Sequence, residues 1–415
     1  MAARVRNPLL AERDGKLVFA IQLCDTLAFG LGVIALPWLV LQETHSEGLS
    51  GLTAAFGTLP YVLFGLLAGV AGDRLARKRI LFVAYAFKVC ASATIPLWAA
   101  FDGGHVPLAL VLGIAFSIGA GRTFVDAATF GAVAEIVSPE RFIEGQAVLT
   151  LSWSTGQVLG PILGGALLAA VGGADVIAVQ SGAFALGTLL VVFLRVGLER
   201  PDAVRERLID MAREGIRVVF TVPLLRLLTL TGFAWFFCTG GVQALLVAYY
   251  KLSLHFDKPT LAAAMATSGL TGGACALFIP ALSRRWGTML LFSLGTGGVG
   301  VAIVGLATAN GAPLAFLWAA FFGIAMQIGV TMLVSERQRH ASWELQSRVG
   351  ISGRMVSLLG VSLGGFAASG ATALVPLRVV YVAAGLVALV VTALAAPGIR
   401  RAGAEHTVVT VQEAA

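Results

Sequence analysis

The sequence predicts an all-α membrane protein, with twelve transmembrane helices in two pseudo-symmetric six-helix bundles, and three observations carry that expectation. The first is composition. Of 415 residues, 58% are hydrophobic and 12% are charged, about half the roughly 25% charged fraction of a soluble domain. With a mean hydropathy of +0.88, the chain has too few polar groups to cover a water-facing surface. Soluble enzymes, nucleic-acid binders and disordered proteins are excluded on that ground. The second observation is segment length, because a hydrocarbon core about 30 Å thick takes roughly 20 apolar residues per helix. Twelve such stretches follow one another, at 17–41, 51–72, 80–101, 107–134, 146–171, 174–195, 225–250, 259–281, 288–308, 313–334, 349–374 and 377–396. The third is an internal repeat. Gly113-Ile-Ala-Phe-Ser-Ile-Gly119 in span 4 returns 210 positions later as Gly323-Ile-Ala-Met-Gln-Ile-Gly329 in span 10. Leu159-Gly160-x-x-Leu163-Gly164-Gly165 in span 5 returns 200 positions later as Leu359-Gly360-x-x-Leu363-Gly364-Gly365 in span 11. Span 4 thus pairs with 10 and span 5 with 11, the order that a duplicated six-helix unit requires, and duplicated bundles are a transporter architecture.

The elements follow in order. Span 1 opens after Arg4, Arg6, Arg13 and Lys16, runs too long for a signal peptide, and carries no small-residue cleavage site, so it reads as a retained helix. Its partners are oriented by the cations. Of 29 Lys and Arg, 24 fall at the N-terminus, in the loops after even-numbered spans, or in the tail. Lys251, Lys258 and Arg378 lie on the other side, and Lys88 and Arg122 lie inside spans. The positive-inside rule then places both termini in the cytoplasm of an inner-membrane protein. Residues 196–224 alternate charge (Arg205, Glu206, Arg207, Asp210, Arg213, Glu214, Arg217), as a surface helix on the cytoplasmic face would. The expected organisation is therefore a bundle over 1–195, a linker over 196–224, a second bundle over 225–396 and a tail over 397–415. Cys24, Cys90, Cys238 and Cys275 all lie in apolar runs, which argues against a disulfide framework.

The loop between spans 2 and 3 reads Gly69-x-x-x-Asp73-Arg74-x-Ala76-Arg77-Lys78. It resembles the loop signature of the major facilitator superfamily, G-x-x-x-D-R-x-G-R-R/K, with Ala76 in the second glycine's place. The resemblance implies the fold of that family, and for Asp73, Arg74 and Arg77 a role as a conformational latch. Read from the residues alone, Gly69 admits a close helix neighbour, Asp73 can pair with Arg77, and the Arg74–Arg79 cations also serve as topology determinants. The second-half counterpart, Pro280-x-x-x-Arg284-Arg285-x-Gly287, lacks the carboxylate. Span 5 holds Gly156-x-x-x-Gly160-Pro161-x-x-Gly164-Gly165, similar to the antiporter signature of drug:proton exporters in that superfamily, with Ala147 in its first glycine position. A small face at i, i+4 and i+8 permits tight packing, and Pro161 removes a backbone hydrogen bond and bends the helix. Cys24-Asp25, Arg122-x-x-x-Asp126-Ala127-Ala128 and Val137-Ser138-Pro139-Glu140-Arg141-Phe142 look most like the macrolide-efflux and siderophore-exporter branch.

An ionisable residue at a helix centre costs roughly 2.5–3.5 kcal/mol on insertion scales. Asp25, Lys88 and Asp126 each stand nine residues from a flanking charge, roughly 14 Å deep, and Arg122 stands one turn beyond Asp126. In the superfamily fold, spans 1, 4, 7 and 10 line the central cavity, so Asp25 and Asp126 are the expected proton carriers and Arg122 their opposing cation. A static Arg122–Asp126 pair is the other reading of Asp126, and a structural role that of Asp25. Lys88 is expected to snorkel to the cytoplasm, because span 3 is peripheral and its stem is long. The cavity lining expected from these helices is Gln22, Phe29, Phe116, Phe124, Phe233, Trp235, Phe236, Phe237, Gln243, Met326 and Gln327. Such a lining suits a bulky amphipathic molecule better than a sugar.

Other patterns have plainer readings. Gly360-x-Ser362-x-Gly364 and Gly295-x-Gly297-x-x-Gly300 lie inside spans 11 and 9, without the strand that a hydrolase elbow or dinucleotide fold needs. No G-x-x-x-x-G-K-[ST] occurs, so the chain is not expected to hydrolyse ATP, and its five scattered histidines form no metal set. The expected function is a monomeric transporter, not an enzyme, that binds no cofactor, metal or nucleic acid. It exports a small amphipathic compound through the lipid bilayer against entering protons. The rivals are an importer or uniporter on the same fold and a membrane binding protein that transports nothing.

Overall fold

In the computed structural model, residues 8–138, 141–195, 217, 219–339 and 343–404 are described, and they contain helices joined by short turns with no strand among them. A one-turn helix (Pro8–Ala11) precedes α1 (Arg13–Thr44), α2 (Glu47–Arg74), α3 (Arg77–Phe101), α4 (Leu108–Ile136), α5 (Phe142–Ala170) and α6 (Gly173–Val192). The second half holds α7 (Pro223–Ala244), a bent α8 (Lys258–Ala276, then Ile279–Trp286), α9 (Thr288–Ala307), α10 (Ala312–Arg339), α11 (Trp343–Ala371) and α12 (Leu377–Ala404). Among the described residues, nine of these are long and apolar enough to cross a membrane singly, and α8 is a tenth if its two pieces form one span. The 29-residue helices α5 and α11 stand where spans 5 and 11 were expected. Most of the expected linker, 196–216 and 218, lies outside the described residues.

Where the helices depart from the sequence reading, a local cause is visible. Span 8 was expected to be continuous, yet it bends by 60° between Ala276 and Ile279. Pro280 is the second residue of the new piece, where its missing N–H would otherwise have to bond back to the carbonyl of Ala276. That piece ends at Gly287, whose φ of +78° is open to glycine at little cost. Span 7 loses its regular ladder after Ala244 and continues through Leu246–Ala248 into a π-helical turn over Tyr249–Ser253. At the far end, α12 continues through Pro397 to Ala404, so the expected tail begins inside a helix.

The chain divides into two compact units, residues 1–44 with 63–205 and residues 45–62 with 206–415. The division runs through α2. Its first half belongs with the second unit, where Thr58 accepts a hydrogen bond from Ser362 at 2.9 Å and Phe56 meets Phe366 edge-on at 5.5 Å. Inside the first unit, α1 packs on α5 and α6, and α3 packs on α4 and α6. Inside the second, α7 packs on α11 and α12, and α9 packs on α10 and α12. The same pairings recur in the same order, as the repeat required.

Glycine makes these crossings close. A Cβ on Gly160 of α5 would stand 2.6 Å from the Cα of Gly30 in α1, and one on Gly156 would strike Thr26. In the second unit, a Cβ on Gly360 of α11 would stand 2.7 Å from the carbonyl oxygen of Phe233 in α7, and one on Gly364 would strike that of Phe237. The glycines of the hydrolase-like and dinucleotide-like patterns are therefore packing positions. Gly295 lies against Gly329, and Gly300 lies against Gly385 and Leu389.

Candidate functional site

The first unit contains a cluster of charges inside its own helix packing. Asp25 of α1 is 1% exposed and Lys88 of α3 is 0% exposed, and the Lys88 ammonium is ion-paired to Asp25 Oδ1. On the other carboxylate oxygen, Oδ2, stands Arg122 Nε of α4 at 3.8 Å. One carboxylate therefore has a cation at each oxygen, contributed by three different helices. Aromatic faces complete the shell. The Lys88 ammonium lies 4.0 Å from the centroid of Tyr85 and 4.5 Å from that of Phe184, and the Arg122 guanidinium lies 3.8 Å from that of Phe29. Cation–π contacts of this kind gain strength where water is excluded. Asp126, one turn after Arg122, is half-buried and within electrostatic reach of Lys88 and Tyr85. With both carboxylates and both cations ionised the group is neutral, the condition under which buried charges are tolerated.

Lys88 corrects the snorkelling expectation. It lies on the buried face of α3 with Leu81, Ala84, Tyr85, Ser92 and Ile95, a set at helical spacing. Its stem turns inward across Gly121, where a Cβ would stand 2.6 Å from Lys88 Cγ. Around it, Tyr85 donates to the carbonyl of Ile21 at 2.6 Å, and Ser181 of α6 donates to Ser92 at 2.7 Å. Tyr85 itself packs against Gly187, whose Cβ would strike the ring. Gly121 and Gly187 were not singled out in the sequence. Their signal was the polar face of α3, with Tyr85, Lys88 and Ser92 at i, i+3 and i+7.

The α5 motif packs directly behind this cluster. Gly156, Gly160 and Gly164 approach α1 at Thr26, Gly30 and Leu31, and Thr26 donates to the carbonyl of Ser152 at 3.2 Å. Gly165 is buried in the same helix. Next to Arg122 is a cavity of about 30 Å³, lined by Thr26, Phe29, Gly30, Val33, Gly156 and Pro161, with room for one water molecule.

At the end of the unit that carries loop 74–79, Arg77 forms an ion pair with Glu135 of α4 and lies over Gly131, whose Cβ would clash with its guanidinium. Glu135, nine residues after Asp126, is the flanking charge from which the depth of Asp126 is counted, and here it is also the partner of Arg77. Lys78 donates to the carbonyl of Val192, the last residue of α6, at 2.8 Å, where the helix dipole favours a cation. Gly69 lies in α2 and Arg74 at its exposed end, and the Asp73 side chain lies outside the described residues.

The expected lining separates by unit. In the first, Phe29 joins the charge cluster, Gln22 is buried on α1 one turn before Thr26, Phe116 meets Phe64 at 5.9 Å, and Phe124 is half-buried. In the second, Phe233 and Phe237 lie 6.5 Å apart on α7, Gln327 donates to Thr331 at 3.1 Å, Met326 is half-buried and Gln243 is exposed. Trp235 is a correction, whereas Phe236 is half-buried like Phe233 and Met326. Trp235 is 1% exposed and its indole lies 3.0 Å from the position of a Cβ on Gly329, so it fills the core. Phe236 packs on the indole at 4.8 Å and against the core around Phe292 and Met332.

No group of three or more His, Cys, Asp or Glu gathers to hold a metal among the described residues, and the four cysteines are free. Among proteins of known name, a multidrug efflux pump, Tap, of Mycolicibacterium fortuitum is 29% identical over 335 residues, covering 77% of this chain and 78% of that protein. Tap of Mycobacterium tuberculosis strain H37Rv is 32% identical over 209 residues, 48% of this chain and 49% of that protein. The enterobactin exporter EntS of Shigella boydii is 26% identical over 227 residues, 52% and 51% of the two chains. Among solved structures, a peptide transporter, POT, bound to alafosfalin superposes with a TM-score of 0.75 at 12% identity, covering 94% of each chain. A bacterial homologue of the lysosomal transporter Spinster gives 0.71 at 16% identity, over 95% of this chain and 98% of that one. The family profile of the Major Facilitator Superfamily matches residues 18–349, and with the duplicated helix packing this makes the chain a multi-pass membrane transporter that belongs to that superfamily.

Proposed function

We propose that the protein exports a small amphipathic organic compound, of the drug, antibiotic or siderophore class, in exchange for protons by alternating access. The observation that carries this reading is the membrane-interior carboxylate of Asp25, buried and held between Lys88 and Arg122. A passive helix packing has no need of such a group, because a buried ion pair is commonly no more stable than apolar residues of the same volume. Asp25 takes up and releases the proton, Arg122 is its fixed counter-charge, and Asp126 is a second acceptor one turn away. The named relatives, two of them efflux pumps and one an exporter, support the outward direction. The distribution of Lys and Arg supports cytoplasmic termini and a cytoplasmic position for the Gly69–Lys78 latch. The protein works as a monomer, with the segments 1–195 and 225–396 as its two repeated halves, the first half of α2 packing with the second.

Reconstituted protein tests this directly. In proteoliposomes loaded with a pH-sensitive dye, addition of ethidium or another compound from a panel of dyes, antibiotics and siderophores should drive a proton flux opposite to cargo movement. The flux should be lost in Asp25→Asn and weakened in Asp126→Asn. Full proton-driven transport by both variants contradicts the coupling assignment. Cargo movement in the same direction as protons contradicts export.

A further inference from the structure

The structure holds an ionisable residue that the proposed coupling does not use. Lys88 is wholly buried, and its ammonium is on Asp25 Oδ1, while Oδ2 accepts no hydrogen bond and has Arg122 Nε at 3.8 Å. We infer that Lys88 is the internal counter-ion of Asp25, a positioning residue that competes with the proton for that carboxylate and so sets the pH at which coupling occurs. This rests on the proton-coupled reading above.

The two cations beside Asp25 are held differently. Arg122 is planar, stacked 3.8 Å from the Phe29 centroid, and reaches Asp25 at 3.8 Å. Lys88 is a compact point charge on a long four-carbon stem that packs over Gly121, in space that a side chain there would take. The groups facing Asp25 are Cys24 on α1 itself, Tyr85 and Lys88 from α3, and Arg122 and Asp126 from α4, while α6 brings the Phe184 ring. With these carboxylates and cations ionised the cluster is neutral. When a proton binds the Asp25 carboxylate, the cluster gains one positive charge, two cations face a neutral acid, and the Lys88–Asp25 ion pair breaks. Lys88 keeps its proton and withdraws toward Asp126, while Arg122 stays on Phe29. Release of the proton reverses these steps. One proton is bound and released per cycle, and no covalent bond to Lys88 forms or breaks.

The test is the pH profile of ethidium transport by wild type, Lys88→Met and Lys88→Arg in proteoliposomes, read between about pH 5 and 9. Loss of the competing cation should move the Lys88→Met midpoint to higher pH by about one unit or more. Lys88→Arg keeps the charge on a stiffer group, and should hold the midpoint within about half a unit of wild type while lowering the rate. A Lys88→Met midpoint that coincides with wild type, or a Lys88→Arg midpoint that moves as far as Lys88→Met, overturns the inference. Melting temperatures in detergent give a second readout that does not depend on transport. Asp25→Asn strands two cations and should melt below the Asp25→Asn/Lys88→Met pair, and equal melting of the two overturns the counter-ion role. If wild type shows no proton-driven transport, the coupling reading fails, while the melting comparison still tests the Lys88–Asp25 partnership.

Discussion

The two units fill the same place in opposite ways. In the first, the crossing of α1 with α3 and α4 holds Asp25, Lys88 and Arg122. In the second, 210 positions after Asp25, Trp235 of α7 lies against Gly329 of α10, where α10 touches α9 through Gly295. The glycine-rich crossing behind each is shared, α1 with α5 and α7 with α11. One repeated packing geometry thus accommodates either an indole or an ion cluster. The indole gains dispersion contacts and needs no counter-charge, whereas each buried ion loses its hydration and depends on its partner. The second unit shows that an apolar solution to this crossing exists. The charges of the first are therefore not required by the packing, which is the ground for the proton-carrying role proposed for Asp25.

Substitutions can break or sharpen this contrast. The largest effect is expected where the units are alike. Gly160→Val and Gly364→Val each push a side chain into the backbone of the facing helix, at Gly30 and Phe237 respectively. Overpacking of this kind costs about 1–3 kcal/mol where neighbours can yield, and more where the obstacle is backbone. Both variants should be lost as monodisperse protein on size exclusion, and survival of either would show that its crossing is looser than described. Next comes Trp235→Ala, which should lower stability by about 3 kcal/mol through the cavity left beside Gly329, whereas Trp235→Phe should keep transport within about twofold of wild type. Loss of proton coupling in Trp235→Phe, with folding intact, would mean that the second unit's crossing is not inert. The paired change Asp25→Leu/Lys88→Leu converts the first crossing toward the apolar solution of the second. It should melt above Asp25→Leu alone, because one stranded cation is removed with its partner, while abolishing proton-driven transport.

The smallest effect lies outside the membrane-spanning segments. Glu43 accepts from the Val106 amide at 3.3 Å and bonds His105 at 3.2 Å, which raises the His105 pKa above its ordinary value. Such a contact contributes fully below the ordinary histidine range and is lost as pH rises through the raised value. Because His105 is exposed, melting should change only slightly across that window, and Glu43→Gln should remove the dependence.

Much of this was legible in the sequence because hydropathy and the cost of buried charge are strong signals. They located the helices, the duplicated order, and the buried charges Asp25 and Arg122 beside the α5 glycines. The bend in α8 was readable at Pro280, had the proline been weighed as a break within the span. Lys88 was misread because depth along a helix is visible in sequence, whereas rotation about its axis is not. The face shared with Tyr85 and Ser92 was the cue, and its meaning depended on Gly121 supplying space from another helix. Trp235 was misread for the same reason. An aromatic residue on a cavity-type helix can face inward or into its own bundle, and the glycine at 329 decides which.

The central claim, that Asp25 carries the transported proton, is tested most directly by cargo-induced proton flux in proteoliposomes of wild type and Asp25→Asn, matched for folded protein. A flux in wild type that falls by about tenfold or more in Asp25→Asn, with cargo binding retained, is the predicted result. Equal flux in the two proteins would contradict it.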